Sequence, residues 1–347
     1  MTAIPRPHAT AMAREAAESG AAVARQIRRT AVQFEVLGQR LRAVRPRVVI
    51  TCARGSSDHA ACYGKYLIET RLGIPVASIG PSVASLYGTA LAVRGALFVA
   101  VSQSGRSPDL LRMAKAARAG GAYVVCLVNV ETSPLAQIAD LFIPLSAGPE
   151  TSVAATKSHL AAAFAFLQLV AHWQESDTLK AVAASTPAVL DAASALDWGP
   201  MLSTLAAARD LYVIGRGLGS GAALEIALKL KETCRLHAEP FSAAEVVHGP
   251  LELVGPGFPV IVVTQNDQTA PASIDVIRRL IEMGASVLST DPSVPGTLAL
   301  PVLDDLPPEL APLAAVQSFY MAVPTLAIER GRDPDAPANL LKITETL

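Results

Sequence analysis

Short apolar runs alternate with longer stretches of helical periodicity along most of the chain. Val48–Ile50, Pro75–Ile79, Ala96–Val101, Ala122–Val128 and Leu141–Leu145 have the length of buried strands. Between them, a stretch from the turn after Ile50 to about Leu72, stopped by Gly73, reads as helix, as do Pro108–Ala119 and the strongly apolar Thr156–Trp173. Ahead of the first strand, Met12–Val44 places apolar residues at Val23, Ile27, Phe34, Leu37 and Leu41 and stops at Pro46, which predicts one long helix. The alternation then starts again. Leu211–Ile214, Pro259–Thr264, Ala285–Ser289 and Leu298–Leu303 read as strands, with helices through Leu236 and over Ser273–Met283. Strands alternating with helices build βαβ units and a parallel sheet.

The two series share an offset. Arg54-Gly55 and Arg216-Gly217 lie 162 positions apart, and so do Ser102-Gln103-Ser104 and Thr264-Gln265-Asn266. Two independent turns with one offset predict a duplicated α/β domain. The expected organisation is an N-terminal helical segment (1–45), a first domain (46–190), a linker near Asp191–Pro200, a second domain (200–333) and a C-terminal tail (334–347).

Composition narrows the function classes. Hydrophobic residues make up 51% and charged residues 17%, which excludes disorder as the main state. Lys plus Arg number 29 against 30 Asp plus Glu, so no basic excess points to a nucleic-acid partner. No apolar run is read as reaching the ~18 residues of a membrane span, and the first ten residues lack the apolar stretch of a secretory signal. Cys52, Cys62, Cys126 and Cys234 show no CxxC and no clustering, so a reducing, cytoplasmic setting is expected. The six histidines show no zinc-like spacing, and no metal is expected.

The stretch Val99-Ala100-Val101-Ser102-Gln103-Ser104-Gly105-Arg106-Ser107-Pro108 ends an apolar strand and precedes a helix. Open α/β sheets bind ligands there, outside the carboxyl ends of the strands. Ser107 suits an N-cap and Pro108 the first helical position. Two readings stay open: a well-capped turn, or a cradle in which free amides and the hydroxyls of Ser102, Ser104 and Ser107 hold a phosphate. Three serines around Gly105 favour the cradle. The turn Arg54-Gly55-Ser56-Ser57 follows the first strand and faces the same edge, and two hydroxyl-rich turns suit a sugar phosphate; capping is again the alternative.

Three further features carry charge or glycine. Gly217-x-Gly219-x-x-Ala222, with Glu239 downstream, imitates a dinucleotide fingerprint, but the matching turn of the first repeat has Ser-Ser instead, so no nicotinamide site is expected. Glu225, Lys229 and Glu232 fall on one helical face, which by itself reads as an exposed ion-pair stripe worth ~0.2–0.5 kcal/mol per pair. The segment just past that helix is unusual in a chain this poor in charge: His237, Glu239, Glu245 and His248-Gly249-Pro250 bring general acid/base residue types together.

Taken together, Ser102-Gln103-Ser104-Gly105, Val153-Ala154-Ala155-Thr156-Lys157, Ala227-Leu228-Lys229-Leu230-Lys231-Glu232, His237-Ala238-Glu239, Glu245-x-x-His248-Gly249-Pro250 and Asn339-Leu340-Leu341-Lys342 resemble the tandem SIS (sugar isomerase) domain family. The likeness is closest to the isomerase half of glucosamine-6-phosphate synthases and their stand-alone deaminase relatives, and Met12-x-x-Glu15 resembles the family's N-terminal helix. The resemblance implies an α/β fold of two tandem domains, each a flavodoxin-like three-layer unit with a parallel sheet. It implies phosphate binding by Ser102, Gln103, Ser104 and Ser107, with Ser56, Ser57 and Val153 near the sugar. It implies proton transfer between C1 and C2 by Glu232, support from Lys229, ring opening by His248 reaching in from a neighbouring subunit, and closure of the tail over the sugar by Lys342. Shared active sites make the expected assembly a homodimer. Arg106 and Ser107 stand where the synthases have glutamate and threonine, which suggests the stand-alone branch.

The synthases also carry a glutaminase domain with a cysteine nucleophile, whereas about 45 residues precede the first strand here and none is cysteine. The expected reaction is therefore that of a phosphosugar aldose–ketose isomerase/deaminase: glucosamine-6-phosphate plus water giving fructose-6-phosphate plus ammonia, without cofactor. Two alternatives stay open: a fructosamine-phosphate deglycase or galactosamine-6-phosphate deaminase/isomerase, and a non-catalytic sugar-phosphate sensor.

Overall fold

The structure is a computed structural model that describes residues 10–342. Residues 1–9 and the last part of the expected tail, 343–347, lie outside the described residues. The first half runs α1 (Ala11–Ala17), α2 (Ser19–Val44), β1 (Val49–Cys52), α3 (Ser56–Leu72), β2 (Val76–Ser78), α4 (Ser82–Ser85), β3 (Leu97–Ser102), α5 (Pro108–Ala119), β4 (Tyr123–Val128), α6 (Pro134–Ile138), β5 (Leu141–Pro144) and α7 (Lys157–Gln174). It continues through α8 (Asp177–Ala193), α9 (Gly199–Leu205), β6 (Asp210–Gly215), α10 (Gly219–Cys234), β7 (His237–Ser242), β8 (Pro259–Val262), α11 (Ala270–Glu282), β9 (Ser286–Ser289), β10 (Leu298–Ala299) and α12 (Ala311–Glu329).

Two compact units form, and they do not follow chain order. One gathers residues 21–150 and 157–186; the other gathers 10–20, 151–156 and 187–342. Each holds one five-stranded sheet, ordered β2-β1-β3-β4-β5 in the first and β10-β9-β8-β6-β7 in the second, with every pairing parallel. Numbered within its own unit, each sheet has the doubly wound order 2-1-3-4-5. The helices after the third strands, α5 and α11, start at Pro108 and Ala270, again 162 positions apart. The duplication read from two turns therefore extends to the whole topology.

Burial explains the local choices. All six residues of β3 are buried, which is what a central parallel strand covered on both faces requires. Phe98, Met113, Val124 and Leu135 anchor the core of the first unit, and Ile214, Val260, Ile277 and Leu280 that of the second. Each such side chain contributes roughly 1.5–3 kcal/mol relative to exposure. In α7 every residue but His172 and Gln174 is buried, so its apolar run is a core helix.

Several elements differ from expectation. The helix expected over Met12–Val44 is two, interrupted at Glu18, with Thr10 Oγ1 accepting the Ala13 N–H (3.1 Å) to cap the first. The expected linker overlaps the ends of α8 and α9, leaving only residues 194–198 between them. β7 was unforeseen because it carries Pro240 and no apolar run; it is an edge strand, where a missing N–H is tolerated. α12 was also unforeseen, since Pro324 lies inside it and it has no polar face. It corrects the expectation that no segment matches a membrane span: its 18-residue window has a mean hydropathy of 1.4. That window is 72% buried, so α12 is a core helix of the second unit, packed on α1 and α10.

Candidate functional site

In the first unit, β1 and β3 are neighbours whose outer partners lie on opposite sides, so a crevice opens at their carboxyl ends. Both serine turns are there. Ser102 ends β3, and its Oγ accepts the Gly105 N–H at 2.9 Å, which leaves the hydroxyl proton to donate. Gly105 has φ +63°, and a Cβ there would sit 2.3 Å from Ser133 Oγ, so the turn demands glycine. Ser104 and Gln103 are half-buried at the crevice, and Arg106 is exposed.

Ser107 occupies the N-cap of α5 but makes no side-chain cap hydrogen bond, and α3 likewise starts without one, whereas within the turn Ser104 Oγ accepts the Arg106 N–H at 3.4 Å. Ser56 and Ser57 are the first two residues of α3. The two turns are tied together by Arg54, whose Nη2 lies 2.8 Å from Oδ2 of the fully buried Asp109. Asp109 Oδ1 also accepts the Leu110 N–H at 2.7 Å. The bridge fixes the spacing of the two hydroxyl-bearing turns, and sequence reading missed it because 55 residues separate the partners. Burial pushes the Asp58 carboxyl, one residue past Ser57, above its ordinary value, with His59 and Arg54 opposing.

In the second unit, α10 presents Glu225, Lys229 and Glu232. They are not the exposed stripe that spacing alone suggests. Lys229 Nζ lies 2.5 Å from Glu232 Oε2 and 3.5 Å from Glu225 Oε1, with side-chain exposures of 1%, 21% and 0% for Lys229, Glu232 and Glu225. The buried Tyr320 of α12 donates its hydroxyl proton to Glu225 Oε1 at 2.6 Å. The lysine is thus locked between two carboxylates, and only the Glu232 end reaches open space. Removing one member of a buried ion pair costs about 3–5 kcal/mol, so Lys229 holds structure and carboxylate together. Tyr320 and the burial of Glu225 carry no local sequence signal, because they depend on α12.

The tail is anchored in the same unit. Asp335 accepts the Ala11 and Met12 N–H groups at 2.6 and 2.8 Å, and its own carbonyl accepts the Val153 N–H at 3.2 Å. Glu15 accepts the Thr151 N–H at 2.5 Å and the Thr151 hydroxyl at 2.8 Å. Lys342 Nζ donates to Ser152 O at 2.6 Å. The Met12-x-x-Glu15 helix thereby fixes the segment bearing Val153, and that segment receives Lys342.

His248 is exposed, its backbone N–H donates to Glu245 O, and its ring has no hydrogen-bond partner among the described residues. Glu232 is not brought to it by any hydrogen bond or ion pair among the described residues. His237 and Glu239, counted among the acid/base candidates, lie exposed on the edge strand β7.

Two segments, residues 44–172 and 204–295, match the SIS domain. The chain belongs to the SIS domain family. This SIS protein is similar to the glutamine–fructose-6-phosphate aminotransferase (isomerizing) of Aeropyrum pernix, at 34% identity over 310 residues, 83% of this chain and 49% of that protein. It spans about half the length of the curated relatives it matches. Among solved structures it is similar to a protein provisionally named a phosphosugar isomerase from Silicibacter pomeroyi, with a TM-score of 0.90 and 42% identity, covering 94% of this chain and 100% of that one. The C-terminal domain of glucosamine-fructose-6-phosphate aminotransferase from Francisella tularensis superposes with a TM-score of 0.80 at 25% identity, covering 94% and 98%.

Proposed function

We propose that this protein is a phosphosugar isomerase that deaminates glucosamine-6-phosphate, taking up water and releasing fructose-6-phosphate and ammonia. The observation that carries the reading is Glu232, a carboxylate locked at one oxygen by buried Lys229 and open at the other. The serine turns at Ser56–Ser57 and Ser102–Ser107 bind the phosphate through hydroxyls and helix-start amides. After ring opening, Glu232 takes the proton from C2 and returns it to C1 while an amine proton passes to O1, which leaves an imine at C2. Water adds to that imine and expels ammonia. Lys229 holds the Glu232 carboxylate in place, and Lys342 brings the tail toward Val153.

Burial raises Cys52 and Cys126 to about 12 and Cys62 and Cys234 to about 11. None of the four is primed to attack the amide of glutamine. With water in excess and ammonia scarce, mass action favours release. The relatives' names, with fructose-6-phosphate on one side of the reaction, support the substrate class.

The exposed ring of His248, without a hydrogen-bond partner among the described residues, supports a homodimer in which it serves the neighbouring site. Purified protein should release ammonia and fructose-6-phosphate from glucosamine-6-phosphate in equal amounts, followed by coupled assays for each. Turnover of a fructosamine phosphate with none of glucosamine-6-phosphate would move the protein to a deglycase. Mixing Glu232→Gln and His248→Ala subunits should restore about a quarter of the wild-type rate. No recovery after verified exchange would remove the shared site.

A further inference from the structure

A cavity of about 550 Å³ opens beside Glu232. Its one wall is the last turns of α10, with Leu228, Lys231, Glu232 and Arg235 at helical spacing on one face; its other wall is 331–333 and 336–340. Lys231, Arg235 and Arg332 all line it, all are exposed, and none of their side chains has a hydrogen bond or ion pair among the described residues. The two carboxylates present are already engaged: Glu232 with Lys229, and Asp333 with the Asp335 N–H at 2.9 Å. The neighbouring Arg330 shows the contrast, since its donors are spent on the carbonyls of Cys234, Leu205 and Ala206. A helix C-terminus alone would account for Lys231 and Arg235. It does not account for Arg332 on the opposite wall, nor for Arg235 holding a left-handed backbone (φ 52°) that disfavours any residue with a side chain.

We infer that this cavity accepts an anionic group carried on the substrate's nitrogen, so that the protein also acts on amino-sugar phosphates whose amine is that of an amino acid. The inference rests on the reaction proposed above. Glu232 works at C1 and C2, the amine is bonded to C2, and the space that Glu232 opens into is this cavity. A carboxylate on the nitrogen would meet the three cations, and Leu228 and Leu340 would face its aliphatic part. The chemistry is unchanged and balances. Glu232 moves the C2 proton to C1, and the N–H proton passes to O1, so that C1 becomes a hydroxymethyl group and the C2–N bond an imine. One water adds, and the C–N bond breaks to give fructose-6-phosphate and the free amino acid, whose nitrogen takes the two protons of the water.

The test compares three substrates on the full chain: glucosamine-6-phosphate, N-ethylglucosamine-6-phosphate and N-carboxymethylglucosamine-6-phosphate, each followed by fructose-6-phosphate release. The carboxymethyl compound should exceed the ethyl one in kcat/KM by about tenfold or more. Lys231→Ala/Arg235→Ala/Arg332→Ala should remove that advantage and leave glucosamine-6-phosphate within about twofold. Equal handling of the two substituted sugars, or a variant that lowers all three alike, would overturn the inference. If the triple variant does not fold, Arg332→Ala carries the same test with a smaller drop. If no amino-sugar phosphate turns over, the reaction assignment has failed, and calorimetric binding of the three sugars decides the cavity separately. Tighter carboxymethyl binding that is lost in the variant sustains the cavity, and equal Kd values reject it.

Discussion

The two turns that match at one offset, Ser102–Ser107 and Thr264–Thr269, follow equivalent strands and have opposite fates. In the first, glycine stands at 105 and the hydroxyls of Ser104 and Ser107 are left at the mouth of the crevice. In the second, Asp267 stands where the first has glycine. Its Oδ1 accepts the Thr269 N–H at 2.8 Å and the Thr269 hydroxyl at 2.5 Å, and its Oδ2 accepts from Gln265 Nε2 at 3.1 Å. Gln265 Nε2 also donates to Arg216 O at 2.8 Å and fills the space over Gly219, where a Cβ would meet Gln265 Oε1 at 2.8 Å. The second turn thus supplies its own anion and its own plug. The duplicated scaffold carries one turn rich in hydroxyls and one filled by the side chains of Asp267 and Gln265. The unit with the closed turn instead contributes the Lys229–Glu232 pair, which the corresponding helix α3 lacks.

The largest effect should come from the chemistry side of that contrast. Glu232→Gln should lower kcat by about 10²–10⁴-fold with little change in KM, as measured by steady-state release of fructose-6-phosphate. A loss under tenfold would take the proton transfer away from α10. On the binding side, Ser104→Ala removes a hydrogen bond to a charged group, typically ~1.5–3 kcal/mol. KM for the sugar phosphate should rise by about ten- to a hundredfold with the melting temperature preserved. An unchanged KM would leave the first turn a structural cap after all.

Asp267→Gly sharpens the comparison by opening the second turn. It strands the Thr269 N–H and part of Gln265, so unfolding free energy should fall by about 1–3 kcal/mol in denaturant titration. KM should stay within about twofold, and a shift well beyond that would mean that the second turn touches substrate. The smallest effect concerns Asp58, next to the first turn. Burial raises its carboxyl, so the folded state holds the proton more tightly than the unfolded chain. Its contribution to stability is therefore full below the ordinary aspartate range and is lost as pH rises through the folded value. Asp58→Asn should raise the melting temperature at pH 7 and give less gain at pH 4, and the opposite order would contradict the burial.

Much of this is legible in the chain alone. Ser102 at the end of a six-residue apolar strand, Gly105 in the turn and Pro108 at a helix start are local signals, and local signals survive folding. Other features were misread for an equally physical reason. Lys229 looked like an exposed partner of Glu225 and Glu232 because helical spacing shows only which residues share a face, not what covers that face. α12 covers it, and α12 has no amphipathic period because it is buried on nearly every side. β7 escaped because a prolyl edge strand is defined by its pairing with β6 and not by its own pattern.

By itself, the sequence determined the alternation of strands and helices, the duplication at 162 positions, and the residue types at the ends of β1 and β3. These depend on periodicity, turn chemistry and apolar run length, all of which are properties of neighbouring residues. Only the tertiary structure decided which charges are buried, which turn is filled by its own side chains and what holds the tail. The Arg54–Asp109 bridge, the Tyr320–Glu225 hydrogen bond and the hold of Asp335 on the start of α1 join residues 55, 95 and 324 positions apart. Burial and electrostatics are set by whatever the fold brings alongside a side chain, and a chain read in order does not contain that neighbour.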